Sequence, residues 1–232
     1  NSDFVVTLSK KSIPYIVKKF EMDRKKIKYI SCFTDLKKFT INKKKISKNI
    51  IFGYVGNISL SYDFKKVLKF FTIYNEINKN WKLIFVNNYI NSKEKQKIFK
   101  NFPHKKNIVH LSSNFEKISK IYKKFDCGIY FLKKDFSKIA SCPTKLGEML
   151  ASGIPIITNS GIGDINLYLN SKKKCGFILD NLSKSNIKEI DISLNNKYKY
   201  LSMKNNSILI ANKFFEKDKN LFLYDEIYKK LI

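Results

Sequence analysis

The sequence predicts an α/β fold: a Rossmann-like, doubly wound parallel sheet with flanking helices. Three observations carry this. Between residues 49 and 180, short apolar runs alternate with segments whose apolar residues recur at helical spacing. Polar or glycine-bearing turns follow the runs at Gly56-Asn57, at Ser112-Ser113-Asn114 and from Ser141 to Lys145. Such an alternation implies parallel strands joined by crossover helices, and ligands in that class bind beyond the carboxyl ends of the strands, where these turns fall.

In order along the chain, residues 3–9 read as a short buried strand. Ser12 then caps an amphipathic helix over 13–22, with Pro14 in its first turn. A second strand covers 27–30, and a lysine-rich stretch over 43–48 reads as an exposed linker. Residues 50–59 carry an apolar strand into Gly56, Asn57 and Ser59, followed by a helix over 62–78 with Phe64, Val67, Leu68, Phe71 and Ile77 on its apolar positions. A strand, a glycine turn and a helix make a phosphate-loop geometry, although the full dinucleotide fingerprint is absent. Strands at 83–86, 107–111 and 126–131 then alternate with helices at 92–102 and 115–124. The loop over 132–138 has no regular pattern, and its lysines either face a ligand phosphate or are solvated.

The stretch from Ser141 to Thr158 is the most informative. Pro143 can occupy a first helical turn without losing a hydrogen bond. Leu146, Met149 and Leu150 give the following helix one apolar face, Gly153 ends it, and Pro155-Ile156-Ile157 opens a buried strand. Glu148 lies one turn into that helix, whose free N-terminal amides and partial positive charge suit a phosphate. A carboxylate so placed can accept two sugar hydroxyls. The bland alternative is an ordinary helix–strand connection. Beyond it come a glycine-rich turn, Gly161-Ile162-Gly163-Asp164, a helix to residue 170, a strand over 175–179, an irregular stretch over 181–195 with one short helix, and helices over 202–215 and 221–231.

These residues resemble a known family. Pro143-Thr144-Lys145-Leu146-Gly147-Glu148-Met149-Leu150-Ala151-Ser152-Gly153-Ile154-Pro155 is similar to the donor-site motif of GT-B glycosyltransferases of the family-4 type. The resemblance extends from Asp3 to the last helix, although only this motif is specific. It implies that the helix start holds the diphosphate of a nucleotide sugar and that Glu148 binds its ribose. Gly56, Asn57 and Ser59 match the loop facing the donor phosphates, and Ser112, Ser113 and Asn114 match the loop beside the base; a plain helix cap is the alternative for those three. The family often carries a second glutamate eight positions before the first; here that position is Ala140, which leaves donor-sugar recognition open.

Composition narrows the partners. The chain has 46 Lys+Arg against 19 Asp+Glu, a formal charge of +27. Three readings follow: lysines coating solvated faces of a compositionally biased sequence, attraction to an anionic membrane, or nucleic-acid binding. The lysines are dispersed, arginine is nearly absent and no aromatic–basic RNA-binding motif occurs, so no nucleic acid is expected. No apolar run reaches the length of a membrane span. Cys32, Cys127, Cys142 and Cys175 are scattered without paired spacing and histidines number two, which argues against a metal site and fits reduced thiols in a cytoplasm.

The expected protein is one Rossmann-like donor-binding domain over 1–232, with a leading strand, helix and linker (1–48), a core (49–180) and C-terminal helices (181–232). By resemblance it is part of a retaining, metal-independent glycosyltransferase, cytoplasmic or at the inner membrane face. A nucleotide-diphosphate sugar is its substrate rather than a cofactor, and the acceptor is a glycan or a lipid-linked molecule. An N-terminal acceptor domain is expected to complete the cleft. The expected donor-binding residues are Gly56, Asn57, Ser59, Ser112, Ser113, Asn114, Pro143, Thr144, Leu146 and Glu148, with Lys145 as the catalytic point charge beside the Thr144-Lys145 and Gly56-Asn57 amides. A sugar-nucleotide-binding module without chemistry and a basic surface-binding protein are the alternatives.

Overall fold

Six apolar runs pair into one parallel sheet. The computed structural model describes residues 2–41, 49–58, 61–88, 90–170 and 173–231. The strands are β3 (Ile50–Val55), β4 (Trp81–Val86), β5 (Ile108–Leu111), β6 (Cys127–Ile129), β7 (Ile156–Thr158) and β8 (Gly176–Ile178). Their order is β5-β4-β3-β6-β7-β8, parallel throughout. Strands buried on both faces read as continuous apolar runs rather than alternating ones, as these do. Strands β1 (Val5–Thr7) and β2 (Ile27–Tyr29) form a separate two-stranded parallel sheet, joined by α1 (Ile13–Phe20).

Three of the helices between the strands start where short polar side chains cap them. Asp63 accepts from Lys66 N at 3.0 Å at the head of α2 (Phe64–Ile77). Asn91 and Glu94 form a reciprocal capping box on α3 (Ser92–Phe99), and Asn114 caps α4 (Phe115–Tyr122). The aromatic face of α2 meets the sheet: Phe52 packs edge-on against Phe71 at 5.1 Å and Tyr74 at 5.2 Å, and Phe71 stacks on Trp81 at 4.5 Å.

Helices α5 (Thr144–Ala151) and α6 (Ile165–Leu169) follow the expected pattern. The C-terminal third departs from it. Residues 181–195 are not largely irregular; they hold α7 (Lys184–Asn195), capped by Ser183 and burying Ile187, Ile190 and Leu194. Asn196 ends α7 and caps α8 (Lys197–Phe214), so α8 begins five residues before the expected 202. α9 (Lys217–Tyr228) likewise starts early, because the Glu216 carboxylate accepts from the amides of Asp218 and Lys219. The linker expected over 43–48 lies outside the described residues.

The leading segment is pinned to the main sheet through one buried carboxylate. Asp164 accepts from Ser9 Oγ at 3.1 Å, Lys10 N at 2.8 Å and Lys11 N at 3.2 Å. Gly163 makes this turn possible: its φ is +36°, and a Cβ there would lie 2.1 Å from the Ser141 carbonyl oxygen. Its N–H donates to Lys138 O at 2.8 Å, which ties the turn to the loop that precedes α5. The Ser31 hydroxyl donates to the Phe214 carbonyl, and Thr34 N to that of Phe215 at 2.9 Å.

Candidate functional site

The strand order reverses between β3 and β6, and in open α/β sheets the crevice beyond the carboxyl ends at such a switch point is the ligand site. A cavity of about 430 Å³ lies there. Its walls are the turn after β3 (Gly56, Asn57), the residues after β4 (Asn87, Asn88), the turn after β5 (Ser113, Asn114), and Lys145 and Glu148 on α5. Chain segments far apart in sequence thus converge because each follows a parallel strand or opens the helix beside it.

Gly56 shapes the centre. Its φ of +147° lies in the range that favours glycine, and a Cβ would come within 3.7 Å of Tyr62 Cζ and 3.9 Å of Lys145 Cε. The backbone here therefore lies close to the Tyr62 ring and the Lys145 side chain. The turn is held rigidly: Gly56 N donates to Val86 O at 3.1 Å, Asn87 Nδ2 donates to Gly56 O at 2.8 Å, and Tyr54 Oη donates to Asn57 O at 2.7 Å. The Gly56 amide is thus engaged with β4 and cannot also face a phosphate, a correction to the expected Gly56-Asn57 pair. The Asn57 amide has no acceptor among the described residues.

On α5 the charged groups are arranged by helical spacing. Lys145 and Glu148, three positions apart, both reach the cavity, while Leu146, Met149 and Leu150 turn into the core. Pro143 is the N-cap rather than a first-turn residue and offers no side-chain acceptor, so the first amides of the helix stay uncapped. Lys145 makes no hydrogen bond or ion pair among the described residues. Glu148 is 9% exposed, and its Oε2 accepts from the Tyr122 hydroxyl at 2.6 Å. Burial, then the Glu148 charge, pushes the Tyr122 pKa well above its usual value, so the phenol stays a donor.

The cavity therefore gathers Gly56, Asn57, Ser113, Asn114, Lys145 and Glu148 of the expected residues. Ser112 and Thr144 are exposed and do not line it. Leu146 does not line it either: its side chain is 0% exposed and its N–H donates to Pro143 O at 3.0 Å. Ser59 lies outside the described residues. Asn114 uses its side-chain oxygen to cap α4 at Lys117 N (3.1 Å), so the cap reading of that turn holds alongside its place in the wall. Two lysines of the preceding loop face protein groups instead: Lys138 Nζ donates to Ser61 Oγ at 3.2 Å and Lys134 pairs with Asp180 at 3.5 Å.

Three polar lining residues, Tyr62, Asn87 and Asn88, lie outside the expected set, as does Tyr122, which bonds Glu148 but does not itself line the cavity. Asn87 and Asn88 follow β4 as Gly56 follows β3, a position that flags them by topology alone. Asn88 forms a double hydrogen bond with the Ser113 backbone, Nδ2 to O at 2.6 Å and N to Oδ1 at 2.8 Å, locking the β4 and β5 turns together. Tyr62 and Tyr122 carried no sequence signal. The cysteines are also less scattered than their spacing suggests: the Cys32 and Cys142 thiols influence each other, which lowers the Cys32 pKa and raises that of Cys142, one residue before the N-cap of α5.

Several solved structures share this fold. The chain superposes on a glycosyltransferase from Rickettsia africae with a TM-score of 0.76 at 15% identity, covering 98% of this chain and 63% of that one. HepE from Anabaena, solved with UDP and glucose, gives 0.72 at 14% identity, with 99% and 63% covered. S. aureus TarM, solved with fondaparinux, α-GlcNAc-glycerol and UDP, gives 0.75 at 12% identity, with 97% and 44% covered. At such identities the likeness shows the fold, and the chain spans only 44–63% of the length of these three proteins. No curated protein sequence matches it. Residues 37–209, which contain the sheet, the cavity and α5, match the family described as Glycosyl transferases group 1, and the chain belongs to that family.

Proposed function

We propose that this chain is the donor-binding part of a glycosyltransferase, which takes a nucleotide-diphosphate sugar and passes the sugar to a glycan or lipid-linked acceptor. The observation that carries the reading is the pairing on α5: a buried carboxylate and an ammonium with no partner among the described residues face one cavity at the switch point of the sheet. Glu148 accepts the ribose hydroxyls. Lys145, the first amides of α5 and the Asn57 amide meet the diphosphate, and the turn at Ser113-Asn114 lies beside the base. As the sugar leaves, charge grows on the departing diphosphate, and Lys145 is the fixed charge that stabilises it. Two of the neighbours were solved with UDP, in keeping with a nucleotide in this crevice.

Retention of configuration and independence of metal follow from the resemblance set out above. So does the need for a second domain carrying the acceptor, and the greater length of the neighbours agrees with it. We place the enzyme in the cytoplasm or at the inner membrane face, the second because a formal charge of +27 would attract anionic lipid.

Ala140 favours a second reading, a sugar-nucleotide-binding module without chemistry, because the glutamate often found there is missing. Turnover separates the two. Full-length protein incubated with UDP-glucose, UDP-GlcNAc and GDP-mannose, together with membrane-extracted acceptors, should release the nucleoside diphosphate of one donor. Binding of a donor with no release in any mixture would establish the module instead.

A further inference from the structure

The Glu148 carboxylate has two oxygens, and the protein uses one of them. Oε2 is held by the Tyr122 hydroxyl, while Oε1 accepts no hydrogen bond among the described residues. Tyr122 is itself held by packing. It is wholly buried at the end of α4, with its ring packed against Phe39 at 5.8 Å and Phe125 at 5.7 Å. Residue 122 belongs to the crossover before β6 and Glu148 to the one after it, so the bond ties together the helices on either side of that strand.

A glutamate side chain has three rotatable bonds, and freezing them on ligand binding costs conformational entropy. A carboxylate already fixed by a buried phenol avoids that cost, and its free oxygen keeps one direction. We propose that Tyr122 is a positioning residue: it holds Oε2 of Glu148 so that Oε1 is presented to a ribose hydroxyl of the bound nucleotide. The inference rests on the donor-site reading. Its consequence is selectivity, because a site built around a hydrogen bond to a hydroxyl rejects the analogue that lacks it. With Phe at 122 the carboxylate stays buried but is free to turn, so the ribonucleotide and its deoxy analogue converge in affinity.

The test is calorimetric titration of the chain with UDP, GDP, ADP and CDP. The tightest binder is then compared with its 2′-deoxy and 3′-deoxy forms. These titrations are run on the parent chain, Tyr122→Phe, Glu148→Gln and the double variant, each shown by thermal unfolding to be folded. The parent should prefer the ribonucleotide over one deoxy form by about tenfold or more, as expected for a lost hydrogen bond to a charged group. Tyr122→Phe should cut that preference to within about threefold while deoxynucleotide affinity stays within about twofold, and should add little once Glu148 is Gln. Full preference retained in Tyr122→Phe would overturn the assignment. So would equal weakening of the ribo and deoxy ligands, or full additivity in the double variant; each means a merely structural phenol. A parent that binds a nucleoside diphosphate without ribose preference overturns the Glu148 contact, and a parent that binds none overturns the donor-site reading itself.

Discussion

Phe52→Ala should lower the unfolding free energy by about 3–5 kcal/mol, a large part of the roughly 5–15 kcal/mol that holds a typical domain together. Phe52 is 0% exposed at the centre of β3, the strand from which the sheet winds in both directions. Its ring touches Phe70, Phe71 and Tyr74 on α2. Truncation would leave a cavity that these rings cannot close, because Phe70 and Phe71 are also wholly buried and Phe71 is stacked on Trp81. Urea unfolding followed by circular dichroism measures it: the midpoint should fall with the slope unchanged. Phe20→Ala is the control, since that residue is 64% exposed and the change should stay within about 0.5 kcal/mol. A similar loss from both would contradict a core centred on β3.

Lys145→Ala should weaken the binding of a nucleoside diphosphate by about tenfold to a hundredfold, the range of a lost hydrogen bond to a charged group. Affinity for the matching nucleoside, which has no phosphate, should hardly change. The reason is positional: Lys145 sits one turn from Glu148, its Cε is 3.9 Å from where a Gly56 side chain would begin, and it has no acceptor among the described residues to share its charge. Lys138→Ala should have little effect, because that ammonium already bonds Ser61. Equal losses of diphosphate and nucleoside affinity in Lys145→Ala would mean that the lysine shapes the fold and does not face phosphate.

Much of this was legible in the sequence because buried parallel strands are written as uninterrupted apolar runs. Ile50–Val55 and Trp81–Val86 stand out against lysine-rich helices, and the turns that follow them mark the ligand side of the sheet. Helix α7 was harder to read, because Ile187, Ile190 and Leu194 are spread among Ser, Asn, Lys and Asp without a dense apolar stripe. It is tertiary packing, with Tyr74 on α2 donating to Asp191 on α7 at 2.6 Å, that makes this segment a full helix. Leu146 shows motif and periodicity in conflict: resemblance placed it at the ligand, while its spacing with Met149 and Leu150 placed it in the core, and the core is where it lies. The Tyr122–Glu148 bond could not be read at all. It joins residues 26 apart on two crossover helices, and no local spacing encodes such a meeting.

The central claim is that the crevice beyond β3, β4 and β5 binds a nucleotide through Glu148. The most direct measurement is calorimetric titration of the purified chain with UDP, GDP and CMP, repeated on Glu148→Ala for whichever binds. The account predicts selective binding of one nucleotide, weakened by about 1–3 kcal/mol when the carboxylate is removed. A folded chain that binds none of them, or that binds one equally well without Glu148, would contradict it.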